Sequence, residues 1–135
     1  MPTELKGPLS GIRVVDLTRV LAGPYCTMML AEQGAEIVKV ETPKGGDDSR
    51  HIGPFVDGRS AYFMSINRGK KSVALDLKAP DDRKRFETLL ETADVLVENY
   101  RGGTMEKLGY GWDMLRARYP RLIYCAISGF GHTGP

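Results

Sequence analysis

Three cationic side chains lie around one glycine, immediately before a strand pattern, and this basic segment could bind an anion. Arg68, Lys70 and Lys71 are close neighbours, and an alternating apolar pattern at residues 73–77 follows them. Guanidinium and ammonium groups form charge-assisted hydrogen bonds with anionic oxygens, so an anionic ligand would suit this segment. A solvated basic loop without a ligand is the alternative interpretation of the same residues.

A second candidate binding segment follows the apolar strand pattern at residues 95–97. Asn99 and Tyr100 supply an amide group and an aromatic ring, and a glycine pair then precedes a predicted helix that carries Lys107. An aromatic ring beside the N–H groups of a helix start is typical of a nucleotide-binding wall. The glycine pair also fits a plain turn, and that alternative stays open.

The remaining reactive side chains form no catalytic or metal-binding pattern. His51 and His132 lie in glycine-rich loops, without partners at a spacing that is typical of a catalytic triad or a metal site. Cys26 and Cys125 stand far apart in apolar contexts and form no CxxC pair. We therefore expect no metal, no disulfide framework and a reducing compartment.

The evidence for a dinucleotide site is weak. Residues 129–134 read G-x-G-x-x-G, but the printed sequence holds no helix after them and no acidic residue farther on. The turn after the first strand offers Gly23 alone, although Glu41 ends the second strand, where dinucleotide-binding folds place an acid. We expect Glu41 to be solvated or to pair with Lys39 or Lys44.

These groups would be positioned by alternating strands and helices. Apolar strand patterns fall at residues 12–17, 35–40, 73–77, 95–97 and 122–127, and helical patterns at 24–33, 78–91 and 112–119. This order predicts an α/β fold with a doubly wound, mostly parallel sheet. Pro24 suits a first helical position and Gly34 a left-handed helix end, whereas residues 60–66 fit either a helix or a strand. Open α/β sheets bind ligands at the carboxyl edge, so we expect the turn before Pro24 to line a site.

Composition narrows the class of partner. Nineteen Lys and Arg against 17 Asp and Glu leave a net charge of +2 over 135 residues, which is too small to indicate nucleic acid. No apolar run approaches the length of a membrane span, and the first residues lack the apolar core of a signal peptide. We therefore expect a cytoplasmic protein with no membrane partner.

Six segments, taken together, resemble a known family. They are VVDLTRVLAGP (14–24), GAEIVKVE (34–41), GDDSR (46–50), NRGKKS (67–72), ADVLVENY (93–100) and ISGFGHTGP (127–135). In this order and spacing they are similar to the amino-terminal region of the class III CoA-transferases, the CaiB/BaiF family. That family includes formyl-CoA:oxalate and succinyl-CoA-dependent transferases and the α-methylacyl-CoA racemases.

The resemblance implies a Rossmann-like, CoA-binding segment over residues 1–135, truncated relative to the family. Seven residues match family positions that contact coenzyme A: Val20, Leu21 and Ala22 at the cleft, Lys70 near the phosphates, Asn99 and Tyr100 beside the nucleotide, and Lys107 at an arginine position. The implied substrates are an acyl-CoA and a small carboxylic acid. The complete protein is expected to be an interlocked homodimer.

The family's nucleophile is an aspartate beyond the position of Pro135. It attacks the acyl-CoA thioester to give a mixed anhydride, CoA thiolate then forms an enzyme thioester, and the acceptor acid collects the CoA. Asp16 could stand in for it, but its place at a buried strand end favours a structural hydrogen-bonding role. We therefore predict no catalytic residue within this chain.

Two departures and two alternatives remain. Leu21 and Thr42 stand where the formyl-CoA transferases carry glutamine and arginine, which argues against an oxalate-type acceptor. The complete protein could instead be an α-methylacyl-CoA racemase. The chain could also be a fragment that binds CoA or another nucleotide without activity.

Overall fold

The computed structural model describes residues 7–134, in which strands and helices alternate. The strands are β1 (Arg13–Asp16), β2 (Glu36–Glu41), β3 (Phe55–Val56), β4 (Arg59–Ser60), β5 (Lys70–Ala74), β6 (Val95–Glu98) and β7 (Ile123–Ala126). The helices are α1 (Ala22–Glu32), α2 (Ala61–Ile66), α3 (Pro80–Glu91), α4 (Thr104–Leu108) and α5 (Trp112–Arg118), with a 3-10 turn at Asp48–His51. Among these residues no helix has the length and apolar content needed to cross a bilayer.

Five strands form one parallel sheet in the order β5-β2-β1-β6-β7, and β3 and β4 form a separate antiparallel hairpin. The chain moves outward from β1 to β2 and β5, then returns to the other side of β1 for β6 and β7. The strand order therefore reverses between β1 and β6, which is the topological switch point of a Rossmann-like sheet. The predicted α/β class and parallel sheet are confirmed.

Two apolar cores lie on opposite faces of the sheet. Val15 and Leu96 join the larger core, which also contains buried residues of α3, α4 and α5. Their neighbours Val14 and Val97 join the smaller core, together with Ala31 of α1. Successive strand residues point to opposite faces, so each pair of adjacent apolar residues anchors a strand in both cores.

Helix α1 begins two residues earlier than the sequence predicts. It starts at Ala22, so Pro24 occupies the third helical position rather than the first. A proline is tolerated there because the first N–H groups of a helix have no partner within the helix. Gly34 follows the helix end with a φ of 100°, as predicted from its freedom to adopt a left-handed conformation.

Two of the three cations of the basic segment, Lys70 and Lys71, lie in a strand, so the alternative of a solvated loop does not hold for them. Strand β5 pairs with β2 from Ile37↔Lys70 to Glu41↔Ala74, so it begins three residues before the predicted strand. As an edge strand, β5 tolerates charged side chains, which obscured its boundary in the sequence. Residues 61–66, left open by the sequence, are helical, and the Ser60 hydroxyl caps that helix by accepting the N–H of Phe63.

Candidate functional site

Three strands of the sheet end in a buried carboxylate, and we call these residues the strand-end acids: Asp16 of β1, Glu41 of β2 and Glu98 of β6. Each of them accepts the backbone N–H of a residue in the loop that follows its own strand, namely Thr18, Asp47 and Tyr100, in each case at 2.8 Å. A charged acceptor makes such a bond stronger than a neutral one would. The loops at the carboxyl edge of the sheet are therefore tied down by the strands that precede them.

Asp16 has the structural role that its position predicts. Its carboxylate is fully buried and also accepts the hydroxyl groups of Thr18 and Thr27 and the ammonium group of Lys70. Both carboxylate oxygens are thus engaged by groups from α1, β5 and its own loop. Asp16 is committed to holding the first turn together and is not exposed as a nucleophile.

Lys70 lies on the sheet beneath the start of α1, with a side chain that is 2% exposed. Its ammonium group donates to the carboxylate of Asp16 at 3.2 Å, to the carbonyl of Pro24 at 2.8 Å and to the amide oxygen of Asn67 at 2.8 Å. Burial lowers the pKa of Lys70, and the charge of Asp16 opposes that shift. An ammonium group has three donors, so a direct phosphate contact, which stays a prediction, would require Lys70 to break one of these bonds.

A second buried ion pair lies beside the first turn. The ammonium group of Lys39 is 2.9 Å from Oδ2 of Asp47 and donates to the carbonyl of Thr18 at 2.8 Å. Oδ1 of Asp47 accepts the backbone N–H of Val20 at 3.1 Å. Burial opposes ionisation of Asp47, but the bond from Lys39 and the N–H of Ser49 outweigh it, so the pKa of Asp47 is lowered.

Val20 itself has a left-handed backbone, with a φ of 70°. A β-branched residue rarely adopts this conformation, which costs roughly 1–3 kcal/mol and persists only where the surroundings impose it. Besides Asp47, the amide group of Asn99 holds the turn. It accepts the N–H of Arg19 at 2.9 Å and donates to the carbonyl of the same residue at 2.8 Å. Asn99 therefore clamps the loop after β1 to the loop after β6.

The clamp spans the topological switch point, and we call the region between residues 17–21 and 99–103 the switch-point crevice. Val20 and Leu21 are 38% and 50% exposed there, although both are apolar. The guanidinium carbon of Arg19 lies 5.2 Å from the ring centre of Tyr100, as in a cation–π contact. Burial raises the pKa of Tyr100, with the charge of Arg19 opposing the shift.

Two cavities have Tyr100 among their lining residues. One of about 150 Å³ is lined by Tyr100, Lys78 and Leu108, among others, and one of about 50 Å³ by residues that include Arg19 and Tyr100. They share Glu41 and Thr42 at the end of β2. An aromatic wall beside exposed cations suits a ligand that has both a flat ring and negative charge.

Glu41 pairs with Arg50, so the predicted pairing with Lys39 or Lys44 is wrong. Two nitrogens of Arg50 each donate to a different oxygen of Glu41 at 2.7 Å. Burial by itself raises the pKa of Glu41, but the bonds from Arg50 and Ser72 outweigh it and lower the pKa to about 2. The Glu41–Arg50 pair fastens the 3-10 turn to β2, and Lys39 pairs with Asp47 instead.

The structure brings most of the predicted contact residues together. Val20, Leu21 and Ala22 lie in and directly after the turn that Asn99 clamps, and Tyr100 follows Asn99. Lys107 is exposed on α4, next to the Leu108 that lines the larger cavity, whereas Lys70 is buried beneath α1.

Sequence reasoning missed the Lys39–Asp47 pair and the position of Lys78. Lys39 alternates with apolar residues in β2, a pattern that normally places a lysine in solvent. Asp47 lies in a glycine-rich segment, where an acid usually indicates a turn. No signal in the sequence indicates the backbone conformation of Val20.

Among the described residues, no group of three His, Cys, Asp or Glu side chains could hold a metal ion.

The chain is similar to known proteins over nearly its whole length. A family model described as CoA-transferase family III matches residues 9–135. The chain is 48% identical over 134 residues to an acetyl-CoA:oxalate CoA-transferase of Acetobacter aceti, covering 99% of this chain and 34% of that protein. It is 54% identical over 130 residues to a succinyl-CoA:mesaconate CoA-transferase of Haloarcula hispanica, covering 93% and 33%.

A solved structure of the same family has the same fold. A crystal structure of a CaiB/BaiF family protein from Brucella suis superimposes with a TM-score of 0.89 and 44% sequence identity. The match covers 96% of this chain and 35% of that one. This chain thus spans about a third of the length of the relatives that it matches.

Proposed function

Because the chain belongs to CoA-transferase family III, we propose that the complete protein transfers CoA from an acyl-CoA donor to a small carboxylic acid. This chain supplies the binding surface for CoA, and the nucleophile comes from elsewhere in the complete protein. The observation that carries the proposal is the clamp by Asn99, which holds the strained turn at Val20 open to solvent at the switch point. Ligands of doubly wound sheets bind at this place.

The chemistry of CoA fits the crevice in three respects. Its adenine ring suits the aromatic wall at Tyr100, and its phosphates suit exposed cations beside that wall. Arg19 and Lys78 line the two cavities, and Lys107 lies next to a residue that lines the larger one. The apolar side chains of Val20 and Leu21 suit the largely uncharged pantetheine arm, which needs contact rather than charge.

The transfer requires a carboxylate that can reach a thioester. Its oxygen attacks the thioester carbonyl and the C–S bond breaks, which gives an anhydride and free CoA thiolate. The thiolate then attacks the enzyme's own acyl carbon, which releases the donor acid and leaves an enzyme thioester. The acceptor carboxylate repeats the sequence in reverse, forms the new acyl-CoA and restores the enzyme carboxylate.

The carboxylates that end the strands do not suit this role. The strand-end acids and Asp47 are buried, and each already accepts hydrogen bonds from protein groups. An attacking carboxylate must instead approach its substrate without losing such bonds. We therefore assign the nucleophile to none of these four carboxylates, and on the family resemblance we propose that it lies beyond Pro135.

The identity of the acceptor acid also belongs to the rest of the protein in this proposal. The relatives cited above are named for oxalate and for mesaconate, yet they resemble this chain to a similar degree. The matched region is therefore better suited to the shared CoA than to either acid. We propose further that the complete protein is a cytoplasmic, interlocked homodimer; its unpaired Cys26 and Cys125 suit a reducing compartment.

Incubation of the complete protein with an acyl-CoA and a set of carboxylic acids tests the proposal. We expect a new acyl-CoA in the presence of one acid, and an acyl-enzyme that hydroxylamine traps as a hydroxamate. CoA binding without either product would instead favour a binding fragment or module. Exchange of the acyl α-proton with solvent deuterium, without CoA transfer, would favour a racemase.

A further inference from the structure

The left-handed backbone of Val20 requires a cause, because nothing in its own side chain favours it. Valine is branched at Cβ and meets steric conflict at a positive φ, whereas glycine does not. The strain lies at the exposed turn of the switch-point crevice, between Arg19 and Leu21. Strain of this kind persists where the surrounding structure imposes it, and such positions are concentrated at functional sites.

One buried ion pair holds the turn on both sides of Arg19. Lys39 donates to the carbonyl of Thr18 at 2.8 Å, and Asp47 accepts the N–H of Val20 at 3.1 Å. The two side chains are 2.9 Å apart and are 1% and 0% exposed, so neither can move into solvent. The pair therefore fixes the carbonyl before Arg19 and the N–H after it.

The pair is itself held rigidly. Oδ1 of Asp47 also accepts the N–H and the hydroxyl of Ser49, at 2.9 and 2.8 Å, and the N–H of Asp47 donates to Glu41. Glu41 is in turn locked by Arg50. The position of Val20 is thus set from β2 and the 3-10 turn, and not only by Asn99 from β6.

We propose that Asp47, oriented by Lys39, is a positioning residue that imposes the left-handed backbone of Val20 and thereby preforms the turn that contacts CoA. This inference rests on the proposed function. The GDDSR segment thereby becomes part of the CoA site, in which Asp47 lines the smaller cavity with only 1% of its surface exposed and acts through the backbone of Val20. Preforming the turn favours binding because the ligand does not have to order it.

The test must separate positioning from stability, since removing one member of a buried ion pair leaves an uncompensated charge. Two double variants of the complete protein avoid that problem. Lys39→Met with Asp47→Asn keeps an acceptor for the N–H of Val20, whereas Lys39→Met with Asp47→Leu has none. The exposed pair Asp113–Arg116 on α5 provides the matched control, as Asp113→Asn with Arg116→Met.

Calorimetry with CoA as the probe gives the first readout. We expect the Asp47→Leu pair to bind CoA at least tenfold more weakly than the Asp47→Asn pair, a difference of about 1.4 kcal/mol. Adding Val20→Gly to the Asp47→Leu pair should restore much of the loss, because glycine adopts a positive φ without help. The Asp113/Arg116 control should bind CoA as the parent does.

Equal affinities of the two double variants, or no recovery with Val20→Gly, would overturn the inference while leaving the proposed function intact. A parent protein that binds no CoA would refute the proposed function instead. Hydrogen exchange at the amide of Val20 needs no ligand and still decides the role of Asp47 in that case. We expect exchange at least tenfold faster in the Asp47→Leu pair, and an unchanged rate would contradict the inference.

Discussion

Replacing Asn99 with alanine tests whether the switch-point crevice is the CoA site. The amide group of Asn99 makes two hydrogen bonds to the backbone of Arg19, at 2.9 and 2.8 Å. A net contribution of about 0.5–1.5 kcal/mol for each bond gives a total of roughly 1–3 kcal/mol. If the turn must be held in place for CoA to bind, that total appears in the affinity as a loss of about 5-fold to 150-fold.

The measurement is the dissociation constant of CoA for the complete protein, taken by calorimetry alongside a thermal melt. Thr92→Ala is the matched control. It removes a hydrogen bond between Arg13 and Thr92 at the start of β1, the opposite edge of the same sheet. We expect the control to leave the affinity for CoA unchanged.

The partition between affinity and stability decides the outcome. Asn99→Ala should reduce the free energy of CoA binding by more than it reduces the free energy of unfolding, because its bonds join two surface loops and not the two cores. An unchanged dissociation constant with a lowered melting temperature would refute the assignment. The clamp would then stabilise the fold without serving the ligand.

Three further changes test other parts of the structure. The pKa of Glu41 is about 2, below its ordinary value of 4.5, so its bonds with Arg50, Ser72 and the N–H of Asp47 stabilise the protein above pH 4.5. They lose about 3 kcal/mol as the pH falls towards 2. Chemical denaturation of the complete protein should show this loss, and Glu41→Gln should reduce it; an equal loss in the variant would contradict the role of the pair. Lys107→Ala should weaken CoA binding several-fold, and more so at low salt, whereas Lys84→Ala, at another exposed lysine on α3, should not. Similar effects of both substitutions would show a nonspecific charge effect. Residues 1–135 expressed alone should aggregate, because Leu21 directly before α1 and Tyr25 and Met29 on α1 are each about half exposed. A monodisperse, cooperatively melting monomer would contradict this expectation.

The order of strands and helices could be predicted because it depends on local patterns. Adjacent apolar pairs such as Val14 and Val15 indicate a strand buried on both faces, and Gly34 indicates where α1 ends. The start of β5 could not be predicted, since Lys70 and Lys71 join the strand only through pairing with β2. Strand pairing is a long-range property that a local window of sequence does not contain.

The chemistry at the carboxyl edge was harder to predict for a related reason. Lys39 and Asp47 are separated by a glycine-rich turn whose path determines whether they meet. Arg50 likewise reaches Glu41 only because the 3-10 turn brings it back to the end of β2. The residue types were visible in the sequence, but their partners depended on the conformation of the loop between them.

The buried charges at this edge serve the loops more than the cores. Burial removes water from each strand-end acid, which costs free energy. A hydrogen bond from a backbone N–H of the next loop offsets part of that cost. Apolar residues at the same places would pack as well, but they would leave the loops free to move. In the proposed CoA site, this arrangement would fix the turn at Val20 before any ligand arrives, so the free energy of CoA contacts would not be consumed in ordering it. A turn fixed in this way contributes to affinity whichever acid accepts the CoA, and the relatives named for oxalate and for mesaconate share this region at similar identity. Binding of CoA and selection of the acid are therefore expected to be separable, with variants of Asn99 and Asp47 weakening every CoA substrate alike.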